Sequence, residues 1–194
     1  MHYIGCGHPD VLSSLVFVRT APELEEGSLV SSLALFTVTR CGDSEARIDL
    51  VHTRFDPMQD RDAIIADVCR AIPDGTPLLV RQRYHEYLPD FSGELQAALP
   101  LLDNGRLACA LPGTTLLPLC SSDEEIYASG EAAGLDMPGP DSTPRKCNRR
   151  APLETMALWS IYVRGFCKER EARELIAAFG AWYLLERVKP IPSR

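Results

Sequence analysis

The chain reads as a mixed α/β domain of three layers, a mixed sheet with helices on both faces. Three β-rich runs stand close together near the N-terminus. A helical stretch and a further short apolar run follow them, and two long amphipathic stretches close the chain. Strands clustered first, then alternating with helices, then a helical C-terminus describe a sheet that buries both faces.

Leu12 to Thr20 and Leu29 to Thr39 are rich in β-branched and apolar residues and are parted by an acidic turn, so they read as adjacent strands. Ala46 to Thr53 alternates apolar and polar positions after the Cys41-Gly42-Asp43 turn and makes a third strand of the same meander. From Gln59 to Ile72, Ala63, Ile64, Val68, Ala71 and Ile72 recur at helical spacing, with Asp60 and Asp62 placed to complement the helix dipole. Pro73-Asp74-Gly75 ends that helix, and Pro77 to Val80 is a buried strand returning to the sheet.

Phe91 to Leu102 reads as a second helix, and Leu107 to Leu119 as a strand broken by a Pro-Gly turn. Asp123 to Ala133 is a short helix opened by Ser122, and Gly134 to Pro144 is a loop. Pro152 to Arg164 and Glu169 to Val188 carry apolar faces: Leu153, Met156, Ala157 and Ile161 on the first, Leu175, Ile176, Phe179, Trp182 and Tyr183 on the second. Neither a repeat nor a linker divides the chain, so residues 1–194 are read as one domain.

Composition narrows the function classes. With 194 residues, 45% hydrophobic and 24% charged, the chain is long enough to build its own core without a disulfide or a structural metal. Its longest apolar runs fall short of the ~18 to 20 residues of a membrane span, and no basic start leads into an apolar segment. The expectation is a cytoplasmic protein without a membrane partner. Seven scattered cysteines form no C-x-x-C pair and read as free thiols, and Cys6 with His8 lacks a second ligand pair for zinc. A net charge of -7 opposes non-specific binding to nucleic acid, so any such binding has to be local. The elbow of a serine hydrolase, the paired histidines of a zinc protease and a P-loop are all missing. His52 reads as a packed or edge residue of its strand, and Trp159, Trp182 and Tyr183 read as core.

Three local strings carry a resemblance. Leu15 to Glu26, LVFVRTAPELEE, resembles the first motif of the predicted DNA polymerase B-like 3′–5′ exonucleases, a strand ending in Phe-Asp-Ile-Glu-Thr-Val-Pro. Thr20 and Pro22 hold their places, and the two metal-binding acids of the motif fall at Phe17 and Arg19. Leu78 to Phe91, LLVRQRYHEYLPDF, resembles the second motif; Leu88-Pro89 match and the catalytic Asp falls at Tyr87. Gly134 to Asp141, followed by Cys147 to Phe166, is similar to a Gly-Pro loop and the helix that carries the last Asp, here at or beside Ala151. The resemblance runs from about Val11 to Arg187 and implies a ribonuclease H-like sheet.

The resemblance also implies what is lost. Enzymes of this group hold two divalent ions in a carboxylate cluster, and Phe17, Arg19, Tyr87 and Ala151 supply none of those carboxylates. A guanidinium about 4 Å from a dication costs about 8 kcal/mol at an effective dielectric of about 20. The expected protein is therefore a catalytically inactive exonuclease-like subunit of DNA metabolism, a pseudoenzyme with no cofactor. The alternative is an active, divergent exonuclease in which Glu86 or Glu154 rescues a Mg or Mn site. Arg19, Arg81, Arg83, Arg145, Lys146, Arg149 and Arg150 gather in the three strings, with Tyr84, and are expected to contact single-stranded DNA or RNA through charge-assisted bonds and stacking. The competing expectation pairs these arginines with the abundant acids. A protein partner or a second copy is the remaining expected partner, for which the last helix offers a surface.

Overall fold

A computed structural model describes residues 8–19, 30–42, 45–54, 76–81, 116–119, 122–138 and 149–188. Five strands are described: β1 (Val11–Arg19), β2 (Val30–Arg40), β3 (Ala46–Arg54), β4 (Leu78–Arg81) and β5 (Leu116–Leu119). Three helices follow: α1 (Asp123–Ala132), α2 (Arg150–Phe166) and α3 (Glu169–Val188). The strands form one mixed sheet in the order β3-β2-β1-β4-β5. β2 pairs antiparallel with β1 and β3, while β4 is parallel to both β1 and β5, so β2 alone runs against the other four.

The strands form where branched and apolar residues run, and pleating divides them between two buried faces. On one face Leu12 and Val16 of β1, Phe36 and Val38 of β2, Leu79 of β4 and Leu119 of β5 join a single apolar cluster with α2 and α3. On the other, Leu15, Leu33, Leu35 and Leu78 are equally buried. Burial of both faces explains why these strands read as near-continuous apolar runs.

α2 lies across the sheet. Met156, Trp159 and Val163 are buried along it, and Ser14 and Thr155 bond it to the central strand. The Ser14 hydroxyl donates to the Thr155 carbonyl at 2.8 Å, and the Thr155 hydroxyl donates to the Ser14 carbonyl at 2.8 Å. Each of the two buried hydroxyls thus finds an acceptor across the strand–helix contact. α3 turns back beside α2 after Cys167 and Lys168, and Phe179 packs among Phe36, Trp159, Trp182 and Tyr183 with ring centroids 5.5 to 6.1 Å apart. Trp159, Trp182 and Tyr183 are accordingly core or core-facing residues, as expected.

α1 starts four residues after the end of β5, so its N-terminus stands at the sheet edge where the parallel strands end. Ser122 caps it, accepting from the Glu125 N–H at 3.2 Å. At the other end Gly134, with φ of 78°, ends the helix: its N–H reaches the Glu131 carbonyl and the Leu135 N–H reaches the Gly130 carbonyl, both at 2.9 Å. That pair of bonds is the Schellman arrangement, and it delivers Leu135 into the core. The helices read at Gln59 to Ile72 and Phe91 to Leu102, and the first part of the strand read from Leu107, lie outside the described residues.

Candidate functional site: a closed ring of ion pairs at the strand ends

In open sheets with parallel strands, ligand sites form beyond the carboxyl ends of those strands. At that edge β4 ends on Arg81, α1 begins with Asp123 and α2 begins with Arg150. Their side chains meet in a ring of alternating charge completed by Glu154. Arg81 Nη1 donates to Glu154 Oε2 at 3.2 Å, and Arg81 Nη2 donates to Asp123 Oδ1 at 2.5 Å. Arg150 Nε donates to Glu154 Oε1, and Arg150 Nη2 stands 3.9 Å from Asp123 Oδ2. Each carboxylate therefore gives one oxygen to each arginine, and two positive and two negative charges cancel.

Local sequence builds this ring. Arg150 and Glu154 are four apart and share a helix face. Asp123 follows the Ser122 cap and occupies the first turn of α1, where the helix dipole favours it. Arg81 follows Leu78, Leu79 and Val80 and is the polar terminus of an apolar strand. The ring is graded in depth: Arg81 is 0% and Glu154 1% exposed, whereas the Asp123 side chain is 44% exposed. Burial works to lower the Arg150 pKa, and the adjoining Glu154 carboxylate more than reverses it, so its charge is held firmly. Tyr127, one turn beyond Asp123, has its hydroxyl pKa raised chiefly by burial and stays protonated beside the ring.

Arg81, expected to contact nucleic acid, is buried and bound to two carboxylates. Its guanidinium, removed from water, has its charge met by the two carboxylates beside it. Arg149 is exposed at the start of α2, and Arg150 is partly exposed but engaged with Glu154. Ala151 is buried in the first turn of α2, and Glu154 lies three residues further along. Phe17 pairs with Leu33 in the β1–β2 ladder, and the ladder shifts register between Val18 and Arg19. Tyr87, Arg83, Tyr84, Arg145, Lys146 and Glu86 lie outside the described residues.

The residues of the ring do not fit a Mg²⁺ or Mn²⁺ centre. Such ions take oxygen ligands, and all four carboxylate oxygens here face guanidinium groups. Among the described residues no three His, Cys, Asp or Glu side chains group as ligands for a metal ion. Reading the sequence singled out Arg81, Arg150 and Glu154 but missed Asp123 as their fourth partner; the i to i+4 spacing of Arg150 and Glu154 was the available signal. Also missed were the Ser14–Thr155 pair and the bond from the Trp159 indole to His8, a residue weighed in the sequence only with Cys6 as a zinc ligand. Among the described residues no helix is long and apolar enough to cross a membrane.

No family model matches the chain, and no curated protein matches it.

Proposed function

We propose that this chain is a catalytically inactive 3′–5′ exonuclease-like protein with a ribonuclease H-like sheet, acting in the cytoplasm as a structural or nucleic-acid-binding subunit in DNA metabolism. The mixed sheet in the order β3-β2-β1-β4-β5, with β2 alone reversed and α2 packed on it, supports the ribonuclease H-like reading made from the sequence. The observation that carries the loss of activity is the ion ring. At the strand ends, where carboxylates of an active relative would hold metals, the oxygens of Asp123 and Glu154 each face a guanidinium of Arg81 or Arg150.

The ring bears on the alternative as well. Glu154, the displaced acid proposed to rescue a metal site, is buried between two guanidinium groups, and a dication arriving there meets their repulsion. Of the two inactive roles, the ring supports the structural one more directly, since the charges of its arginines are already met. Arg149, exposed on the same edge, is the described residue best placed for a phosphate contact.

The test is calorimetric titration of the full chain with Mg²⁺ and Mn²⁺ beside a fluorescence assay for binding and cleavage of single-stranded DNA. The reading expects no metal uptake and no cleavage. DNA bound uncut, with affinity falling steeply in salt and weakened by Arg149→Glu, supports the nucleic-acid-binding role. No DNA binding supports the structural role. Metal-dependent cleavage lost in Glu154→Gln or Glu86→Ala overturns the proposal.

A further inference from the structure

At the end of the sheet opposite the ion ring, His8 precedes β1 and is buried against α2 and α3. Both ring nitrogens are engaged, in opposite senses. The Trp159 indole N–H donates to His8 Nε2 at 3.1 Å, which requires Nε2 to carry a lone pair. Nδ1 lies 2.6 Å from the Pro9 carbonyl oxygen, which requires Nδ1 to carry the proton. One neutral tautomer satisfies both bonds, and the imidazolium satisfies only one of them.

The backbone reinforces the contact. The His8 N–H donates to Glu171 Oε1 at 3.2 Å, and the same oxygen accepts from Arg40 Nη1 at 2.7 Å. β1, β2, α2 and α3 thus converge on one residue in front of the first strand. Among the described residues, the charged and titratable groups around it are Arg40 on β2, Glu171 on α3 and, beside Glu171, the Cys167 thiol at the α2–α3 corner. Burial, then Glu171, pushes that thiol up to about 12, so it stays neutral. Glu171 would favour an imidazolium, but its Oε1 is already shared between Arg40 and the His8 N–H.

We propose that His8 is a proton-operated latch, which fastens the lead-in of β1 to α2 and α3 when neutral and releases it when protonated. Protonation turns Nε2 from acceptor into donor and sets it against the indole N–H. A buried Trp donor then loses its acceptor, and a charge is left beside Arg40 away from water. Retreat of the ring to solvent relieves both, and with it the His8 backbone leaves Glu171. Burial, the largest influence on the ring, lowers its pKa, ahead of the raising effects of Pro9 and Glu171. The latch therefore holds at neutral pH and opens under acid conditions.

The test is an NMR titration of the full chain from about pH 7.5 to about pH 4.5, following the His8 ring and the Trp159 indole N–H, the latter told from Trp182 with a Trp182→Phe variant. The latch predicts that the two resonances titrate with one midpoint. It also predicts that exchange of the indole N–H, corrected for its intrinsic pH dependence, rises by about tenfold or more across it. In His8→Gln the side-chain carbonyl can still accept from the indole but does not protonate, and the indole should stay protected throughout. Protonation of His8 with the Trp159 indole still protected, or the same acid opening in His8→Gln, overturns the proposal. Should His8→Gln not fold, co-titration in the natural chain decides alone.

Discussion

Arg81 on β4 and Glu154 on α2 meet at 3.2 Å with both side chains removed from water, 73 positions apart in the chain. Such a pair is held by its geometry, because each charge depends on the other for the solvation that burial took away. Removing the second partner should therefore cost much less than removing the first. Arg81→Met is expected to destabilise the fold by about 3 to 5 kcal/mol, leaving Glu154 buried with only Arg150. Arg81→Met with Glu154→Leu should lose clearly less than the sum of the single changes. Urea unfolding of the three variants checks this; strict additivity would mean that the two groups do not couple.

The reciprocal bonds between Ser14 and Thr155 tie the central strand to α2 through side-chain hydroxyls. Thr155→Val keeps the shape of the side chain but removes the donor to the Ser14 carbonyl. It should cost about 0.5 to 1.5 kcal/mol, as should Ser14→Ala, because each removes one buried hydrogen bond while the carbonyls keep their backbone partners. Thermal unfolding followed by circular dichroism measures both, and an unchanged midpoint in Thr155→Val would show that the bond contributes nothing.

Gly134 has φ of 78° and nothing within 4 Å of the position a Cβ would take. Substitution there tests backbone strain without a steric clash. Gly134→Ala should lose about 1 to 2 kcal/mol, and Gly134→Asn less, since Asn tolerates the left-handed region better. Equal stability of Gly134→Ala and the natural chain in urea would contradict the Schellman ending of α1.

Burial lowers the pKa of both His8 and His52 below 6.5, with Arg54 adding to the effect at His52. The unfolded chain takes up these protons first as the pH falls. The stability that the neutral rings contribute is therefore complete above about pH 6.5 and is lost as the pH drops below it toward their folded values. Urea midpoints measured from pH 8 to pH 5 should stay level and then decline, and His8→Gln should flatten part of the decline. A midpoint that rises on acidification contradicts this assignment.

Much of the fold was legible residue by residue. The runs Leu12 to Thr20, Leu29 to Thr39 and Ala46 to Thr53 became β1, β2 and β3 with ends moved by no more than one residue, because branched residues and a polar turn act locally. Glu169 to Val188 matches α3, and Asp123 to Ala133 opens on the Ser122 cap and ends one residue early as α1. α2 extends two residues beyond its expected span at each end, to Arg150 and Phe166. The site was less legible. Arg81 was singled out in the sequence, but only as a residue facing a ligand, since its type says nothing about the acids it meets.

The sequence by itself determined the described strands and helices and the apolar faces that they bury. Those properties depend on side-chain pattern over a few turns or one strand, and short-range sterics and hydrophobicity fix them. Only the tertiary structure decided that Arg81 turns inward to Glu154 and Asp123, that Ser14 bonds Thr155, and that His8 accepts from Trp159. Each of these links residues 42 to 151 positions apart, and a charge or hydroxyl carries no information about its partner until the sheet and helices have packed. Burial then makes the pairing obligatory, because in the core an unmatched polar group has no water to turn to.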